Sequence, residues 1–176
     1  METEIKNLVI DETYSGLIDA GWCFKLQGNL EVTGSLTVNL KRWLIVSGHI
    51  EAGGGIKAGW GIKAGEGIKA GWGIEAGEGI KAGWGIEAGG GSKAGEGIKA
   101  GWGIEAGGGI EAGWGIKAGF AITCKRISAN LRIFVGLCMW RRPTPAEMTI
   151  NAERVDGEVC YGTVNITNKE KNDAVV

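Results

Sequence analysis

A six-residue period governs this chain. From Ile56 the sequence reads IKAGWG, IKAGEG, IKAGWG, IEAGEG, IKAGWG, IEAGGG, SKAGEG, IKAGWG, IEAGGG, IEAGWG, IKAGFA and ITCKRI. The unit is I-[KE]-A-G-x-G, with Trp, Glu or Gly at x. The period runs upstream in degraded form through Ile18-Asp19-Ala20, Phe24-Lys25-Leu26, Leu30-Glu31-Val32 and Leu36-Thr37-Val38. A two-residue slip crosses Asn39-Leu40-Lys41-Arg42-Trp43, and the period resumes at Leu44-Ile45-Val46 and Ile50-Glu51-Ala52. About eighteen units lie between residues 18 and 124, the signature of a repeat architecture.

Each unit reads as a short strand followed by a corner. In a strand, residues i and i+2 share a face, so Ile and Ala point inward and the Lys or Glu between them faces solvent. G-x-G then turns the chain, on the expectation that these glycines adopt positive φ, and x is displayed at the corner. Glycine supplies 34 of 176 residues, which excludes a helix at about 1 kcal/mol per Gly relative to Ala. Collagen is excluded because Gly does not recur at every third position. A flexible linker is disfavoured by Ile and Trp at fixed spacing. Burying one Ile gains roughly 1.5–3 kcal/mol, less than the cost of ordering six residues at about 1–2 kcal/mol each. Units must therefore stack and share an axial core. The expected fold is an all-β parallel β-solenoid (β-helix).

Sorting the outward residues favours three units per coil over two. With three units per coil, 18 residues make a triangular turn and the outward positions fall into three columns. The first, Asp19, Thr37, Lys57, Glu75, Lys93 and Glu111, alternates in sign. The second, Lys25, Ile45, Lys63, Lys81, Lys99 and Lys117, is basic. The third, Glu31, Glu51, Lys69, Glu87, Glu105 and Thr123, is mostly acidic. The corner after the basic side carries Gly28, Gly48, Glu66, Trp84, Trp102 and Phe120; that after the acidic side carries Gly34, Gly54, Trp72, Gly90 and Gly108. A 12-residue coil, which would stack Trp60, Trp72 and Trp84, sorts less well. Eighteen units at three per coil predict six coils.

The I-x-A-G-x-G array over residues 18–124 resembles the short-repeat β-solenoids of bacteria and phages, with hexapeptide-repeat β-helices nearest in geometry. The stretch Gly28-Asn29-Leu30-Glu31-Val32-Thr33-Gly34 is similar to bactofilin-like, polymer-forming solenoids. The resemblance also takes in small phage inhibitors of host defence, of the anti-CRISPR type. It is a likeness of fold and assigns no residue a role.

Outside the array, residues 1–17 are expected to cap the first coil. Residues 125–176 are expected to form a C-terminal β cap that could also bind a partner or oligomerise, with strands near 130–135, 147–152 and 159–166, a loop at 141–145 and a loose tail from 167. The start of the chain carries no apolar signal segment and no apolar run approaches a membrane span. The expectation is a cytoplasmic protein, in the host cytoplasm if phage-encoded, with no membrane partner. The net charge of −1 gives no global attraction for nucleic acid. Cys23, Cys124, Cys138 and Cys160 match no zinc spacing and read as free thiols.

Little points to catalysis. The single His49 cannot supply the three histidines of a hexapeptide-type zinc enzyme. It could serve as a general base in a hexapeptide-type transferase, but reads better as a surface residue without a titratable partner. The recurrent G-x-G is a structural corner and not a nucleotide fingerprint. No metal or cofactor is expected. The sharpest feature is the basic side with its aromatic corner: Lys63, Lys81, Lys99, Lys117, Trp84, Trp102 and Phe120, with Trp140, Arg141 and Arg142 as a secondary cluster. Exposed Trp is enriched at binding hot spots. The leading expectation is a non-enzymatic binding protein: a phage-type inhibitor docking on a host protein or nucleoprotein complex. The alternative is a self-assembling, bactofilin-like homo-oligomer. Nucleic-acid stacking on the Lys and Trp residues ranks lower.

Overall fold

The computed structural model describes residues 6–167. It is a parallel β-solenoid with 18 residues per coil through the regular array. Ile68 pairs with Ile50 and Ile86, Ile74 with Ile56, and Ile80 with Ile62 and Ile98. Among the described residues there is no α-helix; the one helical turn is the 3-10 segment Ala146–Met148. Among the described residues no helix is long and apolar enough to cross a membrane.

The inside–outside pattern follows the two-residue period of a strand. Ile and Ala of every regular unit are buried, from Ile50 and Ala52 to Ile116 and Ala118, and the intervening Lys or Glu lies outside. Trp60, Trp72, Trp84, Trp102 and Trp114 of the regular repeats are displayed on the surface. Three columns of outward residues run along the prism. The alternating face carries Thr37, Lys57, Glu75, Lys93 and Glu111 in register. The lysine face carries Lys25, Ile45, Lys63, Lys81, Lys99 and Lys117. The glutamate face carries Glu31, Glu51, Lys69, Glu87, Glu105 and Thr123.

Three expectations need correcting. Asp19 does not join the alternating column: Ile18–Asp19 folds back antiparallel on Cys23–Leu26, and the carboxylate of Asp19 takes both terminal nitrogens of Arg42, at 2.7 and 2.9 Å. Val9 of the strand Leu8–Ile10 stands in the column instead, opposite Thr37, so part of the expected 1–17 cap is itself a solenoid strand. Residues 1–5 lie outside the described residues.

The second correction is the number of coils. The glutamate face alone is an eight-stranded sheet, so the prism has about eight turns. Arg126–Val135 sets Ile127 on Ile110 and Ile133 on Ile116, passing along two faces. Thr149–Ala152 then stacks in parallel on Ile122–Thr123, Arg154–Tyr161 on Arg126–Val135, and Thr163–Ile166 on Thr149–Ala152. The strands after Cys124 thus continue the column register. Of the tail expected to be loose, only Thr167 is described, and its N–H donates to the Ala152 carbonyl at 2.9 Å.

The third correction concerns glycine. Positive φ occurs at Gly16, Gly21, Gly28, Gly136, Gly157 and Gly162, and at no glycine of the 56–121 array. From Gly65 to Gly119 the first glycine of each corner is required by close approach, whereas Gly59, beside the two-residue slip, has its nearest neighbour at 3.7 Å. A Cβ on Gly83 would lie 1.9 Å from the Gly65 carbonyl oxygen one coil away; at Gly71, Gly89, Gly101 and Gly119 the corresponding gap is 1.9–2.0 Å. The same glycine donates its N–H to the alanine carbonyl of that neighbouring coil, Gly83 to Ala64 at 3.1 Å. The second glycine is less constrained. In the column of Gly67, Gly85 and Gly103 stand His49 and Ala121, and a Cβ on Gly67 would meet its nearest atom at 3.5 Å. Gly83→Ala should therefore lower the unfolding midpoint, with overpacking costing about 1–3 kcal/mol. Gly67→Ala should leave it unchanged or raise it through lost unfolded-state entropy. Thermal unfolding followed by circular dichroism distinguishes the two, and equal losses would refute the close-approach account.

One core position breaks the pattern. Ser92 replaces isoleucine between Ile74 and Ile110. It is 1% exposed, and its hydroxyl has no hydrogen-bond partner. An unsatisfied buried hydroxyl costs about 1–3 kcal/mol, and isoleucine would add apolar burial. Ser92→Ile should stabilise the protein by about 2 kcal/mol, a rise of roughly 4–8 °C in Tm for a chain of this size. A flat or lower Tm would show that the column narrows at this level.

Candidate functional site: an aromatic corner over an acidic groove

The residues expected to carry function are placed on two surfaces. Lys63, Lys81, Lys99 and Lys117 form an in-register ladder, with neighbours about 4.8 Å apart as in any sheet. The Lys81 ammonium sits over the Trp43 ring, 4.3 Å from its centroid. Trp43 lies across the positions of Gly61 and Gly79, where a Cβ would meet its ring at 2.4 and 2.9 Å. At that end of the face the lysine ladder covers a tryptophan laid flat on backbone.

The aromatic corner joins the lysine face to the glutamate face. Backbone hydrogen bonds link Glu66 to Trp84, Trp84 to Trp102 and Trp102 to Phe120, at 3.1–3.2 Å. Register therefore places the side chains one above another. The Trp84 and Trp102 rings stack, with centroids 5.5 Å apart and planes 11° off parallel, an arrangement worth about 0.5–1.5 kcal/mol. Each ring still leaves nearly half its residue in solvent, 47% and 45%.

The secondary cluster meets this corner. Gly136 ends the strand on the lysine face, and the chain then makes an excursion before rejoining the glutamate face at Thr149–Ala152. The excursion folds back along the corner. Trp140 meets Phe120 edge-on, with centroids 6.4 Å apart and planes at 87°, and its ring edge would lie 3.7 Å from a Cβ on Gly101. The Arg141 guanidinium lies over Phe120, 4.4 Å from the ring centre, and donates two bonds to the Glu147 carboxylate, at 2.5 and 2.8 Å. Arg142 is exposed, and its carbonyl accepts from Arg141 at 3.5 Å. Trp84, Trp102, Phe120, Trp140 and Arg141 form one continuous strip.

The cavity beside this strip opens on the acidic side, not the basic side. It has a volume of about 580 Å³ and is lined by Trp84, Trp102 and Phe120 together with Glu51, Glu66, Glu87, Glu105 and Glu147, against the single cation Lys69. None of Lys63, Lys81, Lys99 or Lys117 lines it. Lys69 is paired with Glu87 at 3.6 Å. His49 stands at the far end and differs from expectation: its Nε2 lies 3.0 Å from Glu31 and its Nδ1 3.7 Å from Glu66. The isolated histidine of the sequence thus has a carboxylate on either side.

The Arg141 guanidinium, aided by the Thr144 N–H, holds the Glu147 carboxyl down to about 2. Burial raises the Cys124 thiol to about 11, far from a nucleophilic thiolate. All four cysteines are free thiols, two of them buried, and among the described residues no group of His, Cys, Asp and Glu is placed to hold a metal ion. Sequence reasoning missed the roles of Trp43 and Glu147 and the side to which the groove opens. The last had a signal in register: W-G-I-E occurs three times, at Trp72–Glu75, Trp84–Glu87 and Trp102–Glu105, and the latter two lie one coil apart at the same corner, which places a carboxylate on the strand that follows each ring.

No protein-family model, curated protein or solved structure matches this chain significantly.

Because the folded pKa of Glu147 is depressed, its contribution to loop docking is complete above its ordinary value of 4.5 and is lost as pH falls toward 2. The Trp140–Phe120 contact, followed by NMR ring-proton shifts, should persist at pH 4 and loosen near pH 2. Glu147→Gln should loosen it at neutral pH. Release at pH 4 and above in the unaltered protein would show that the Arg141 pair does not hold the loop.

Proposed function

We propose that this chain is a non-enzymatic binding protein whose aromatic corner docks a protein partner. The observation that carries the reading is the strip of Trp84, Trp102, Phe120 and Trp140, half exposed along a rigid edge and bordering a cavity. Large aromatic rings held rigid bring contact area at small entropic cost, and Trp dominates binding hot spots. Neither the groove nor His49 brings a nucleophile and base together in a way that favours catalysis. In its finer form the proposal is a phage-type inhibitor acting on a host defence complex, which rests on the resemblance of the repeat alone.

A second reading, self-assembly, is favoured by one observation: adjacent faces carry opposite charge, Lys63 to Lys117 on one and Glu51, Glu87 and Glu105 on the other. An assembly built on those faces would dissociate as salt screens them. Light scattering on a sizing column at two salt concentrations separates the readings, since a monomer at both opposes self-assembly.

For the first reading, Trp84→Ala with Trp102→Ala should weaken capture of a host partner by about 2 kcal/mol or more, roughly 30-fold. Loss of the ring stack should lower Tm by only about 2–4 °C. Glu75→Ala with Glu111→Ala, on the alternating face, should have little effect on capture, because exposed pairs are worth about 0–1 kcal/mol. The reverse outcome would move the docking surface away from this corner.

A further inference from the structure

We infer that the groove beside the aromatic corner is a receptor for an extended, arginine-bearing polypeptide segment. This inference rests on the reading of the corner as a docking surface and adds the chemistry of the partner.

The molecule already contains one instance of the recognition. At the top of the corner the Arg141 guanidinium carbon sits over Phe120, 4.4 Å from the ring centre, and its two terminal nitrogens fork onto Glu147. An aromatic face below and a carboxylate beside it satisfy both the charge and the planar geometry of a guanidinium. The two coils beneath also border the groove with a ring and a carboxylate and without an arginine, the carboxylate there coming from the strand that follows the ring, where Thr123 stands at the Phe120 level, and not from the excursion. Trp102 and Glu105 border the groove at one level, and Trp84 and Glu87 at the next. Glu87 and Glu105 are directly paired in register, and so are the corner residues that precede them. Glu105 makes no ion pair among the described residues, while Glu87 has only the exposed Lys69 at 3.6 Å.

Shape and charge select a polypeptide. The groove runs from His49 to Ala121, through Gly67, Gly85 and Gly103. Those are five successive levels and four coil steps, about 19 Å at ~4.8 Å per step. An extended chain of about six residues covers that distance. Side chains on one face of such a chain recur every ~6.8 Å, within reach of consecutive rungs for a long arginine. Of the five lining carboxylates, Glu147 is held by Arg141, Glu87 by Lys69 and Glu66 stands beside His49, which leaves Glu51 and Glu105 without an ion pair among the described residues; this surplus of negative charge favours a cationic occupant, and an anionic strand or acidic peptide is repelled. Lysine supplies the charge but not the planar stacking surface.

The test uses the full-length protein and a fluorescein-labelled, end-blocked peptide Ser-Arg-Ser-Arg-Ser-Arg-Ser, with its Lys-for-Arg and Glu-for-Arg counterparts, followed by anisotropy at low and moderate salt. The Arg peptide should bind, more tightly at low salt, and the Lys peptide several-fold more weakly. Glu87→Gln with Glu105→Gln should weaken the Arg peptide at least tenfold, as should Trp84→Ala with Trp102→Ala. Lys81→Ala with Lys99→Ala should not weaken it. The glutamine pair keeps shape and lies on an exposed face, so circular dichroism should match the unaltered protein. Failure of the Arg peptide to bind would overturn the inference, and so would affinity unaffected by both groove variants. Binding of the Glu peptide through Lys81 and Lys99 would do the same and move recognition to the lysine face. If the Trp pair still governs capture of a host partner while the Arg peptide fails, the docking surface stands and only the assigned chemistry falls.

Discussion

Everything in this molecule depends on how closely one coil approaches the next at its corners. From Gly71 to Gly119 the glycine after each alanine donates to the alanine carbonyl of the neighbouring coil, while a carbonyl of that coil occupies the space where a Cβ would be. A strand of three residues cannot hold register by itself. The corner contact holds it, because any slip along the chain would bring a side chain against that oxygen. Eighteen residues per coil follow, as does the column order on each face.

Fixed register turns sequence repetition into ladders. Identical residues 18 positions apart become neighbours about 4.8 Å apart, so two tryptophans at one corner must stack and two glutamates at one face must stand side by side. Stacking is favourable and like-charge adjacency is not. The alternating face removes the penalty by pairing Lys93 with Glu111 at 3.1 Å. The lysine and glutamate faces retain most of it, a cost that a stability argument leaves unexplained and that a partner of opposite charge would offset.

Departures from the repeat cluster around the corner. The excursion between Gly136 and Thr149 returns Trp140 and Arg141 to the aromatic strip. His49 and Ala121 replace glycine at the two ends of the groove, where the looser second position tolerates a side chain. Ser92 is different: it lies in the core beneath the alternating face and contributes an unpaired hydroxyl. Nothing in the structure explains its presence.

The residue pattern alone made legible the parallel solenoid, the inward Ile and Ala and the membership of most columns, and it favoured the three-unit coil. Period and face are local properties of a strand, and a repeat makes them unmistakable. It did not determine why glycine is needed, because close approach involves an atom 18 residues away and not the φ of the residue itself. Nor did it reveal that Asp19 leaves its column for Arg42, that Trp140 belongs with Phe120, or that His49 lies between Glu31 and Glu66. Those contacts come from folded-back segments whose paths no periodicity encodes. The side to which the aromatic groove opens was likewise decided only in three dimensions. A corner residue borders two faces, and the way its ring leans is set by the packing around it.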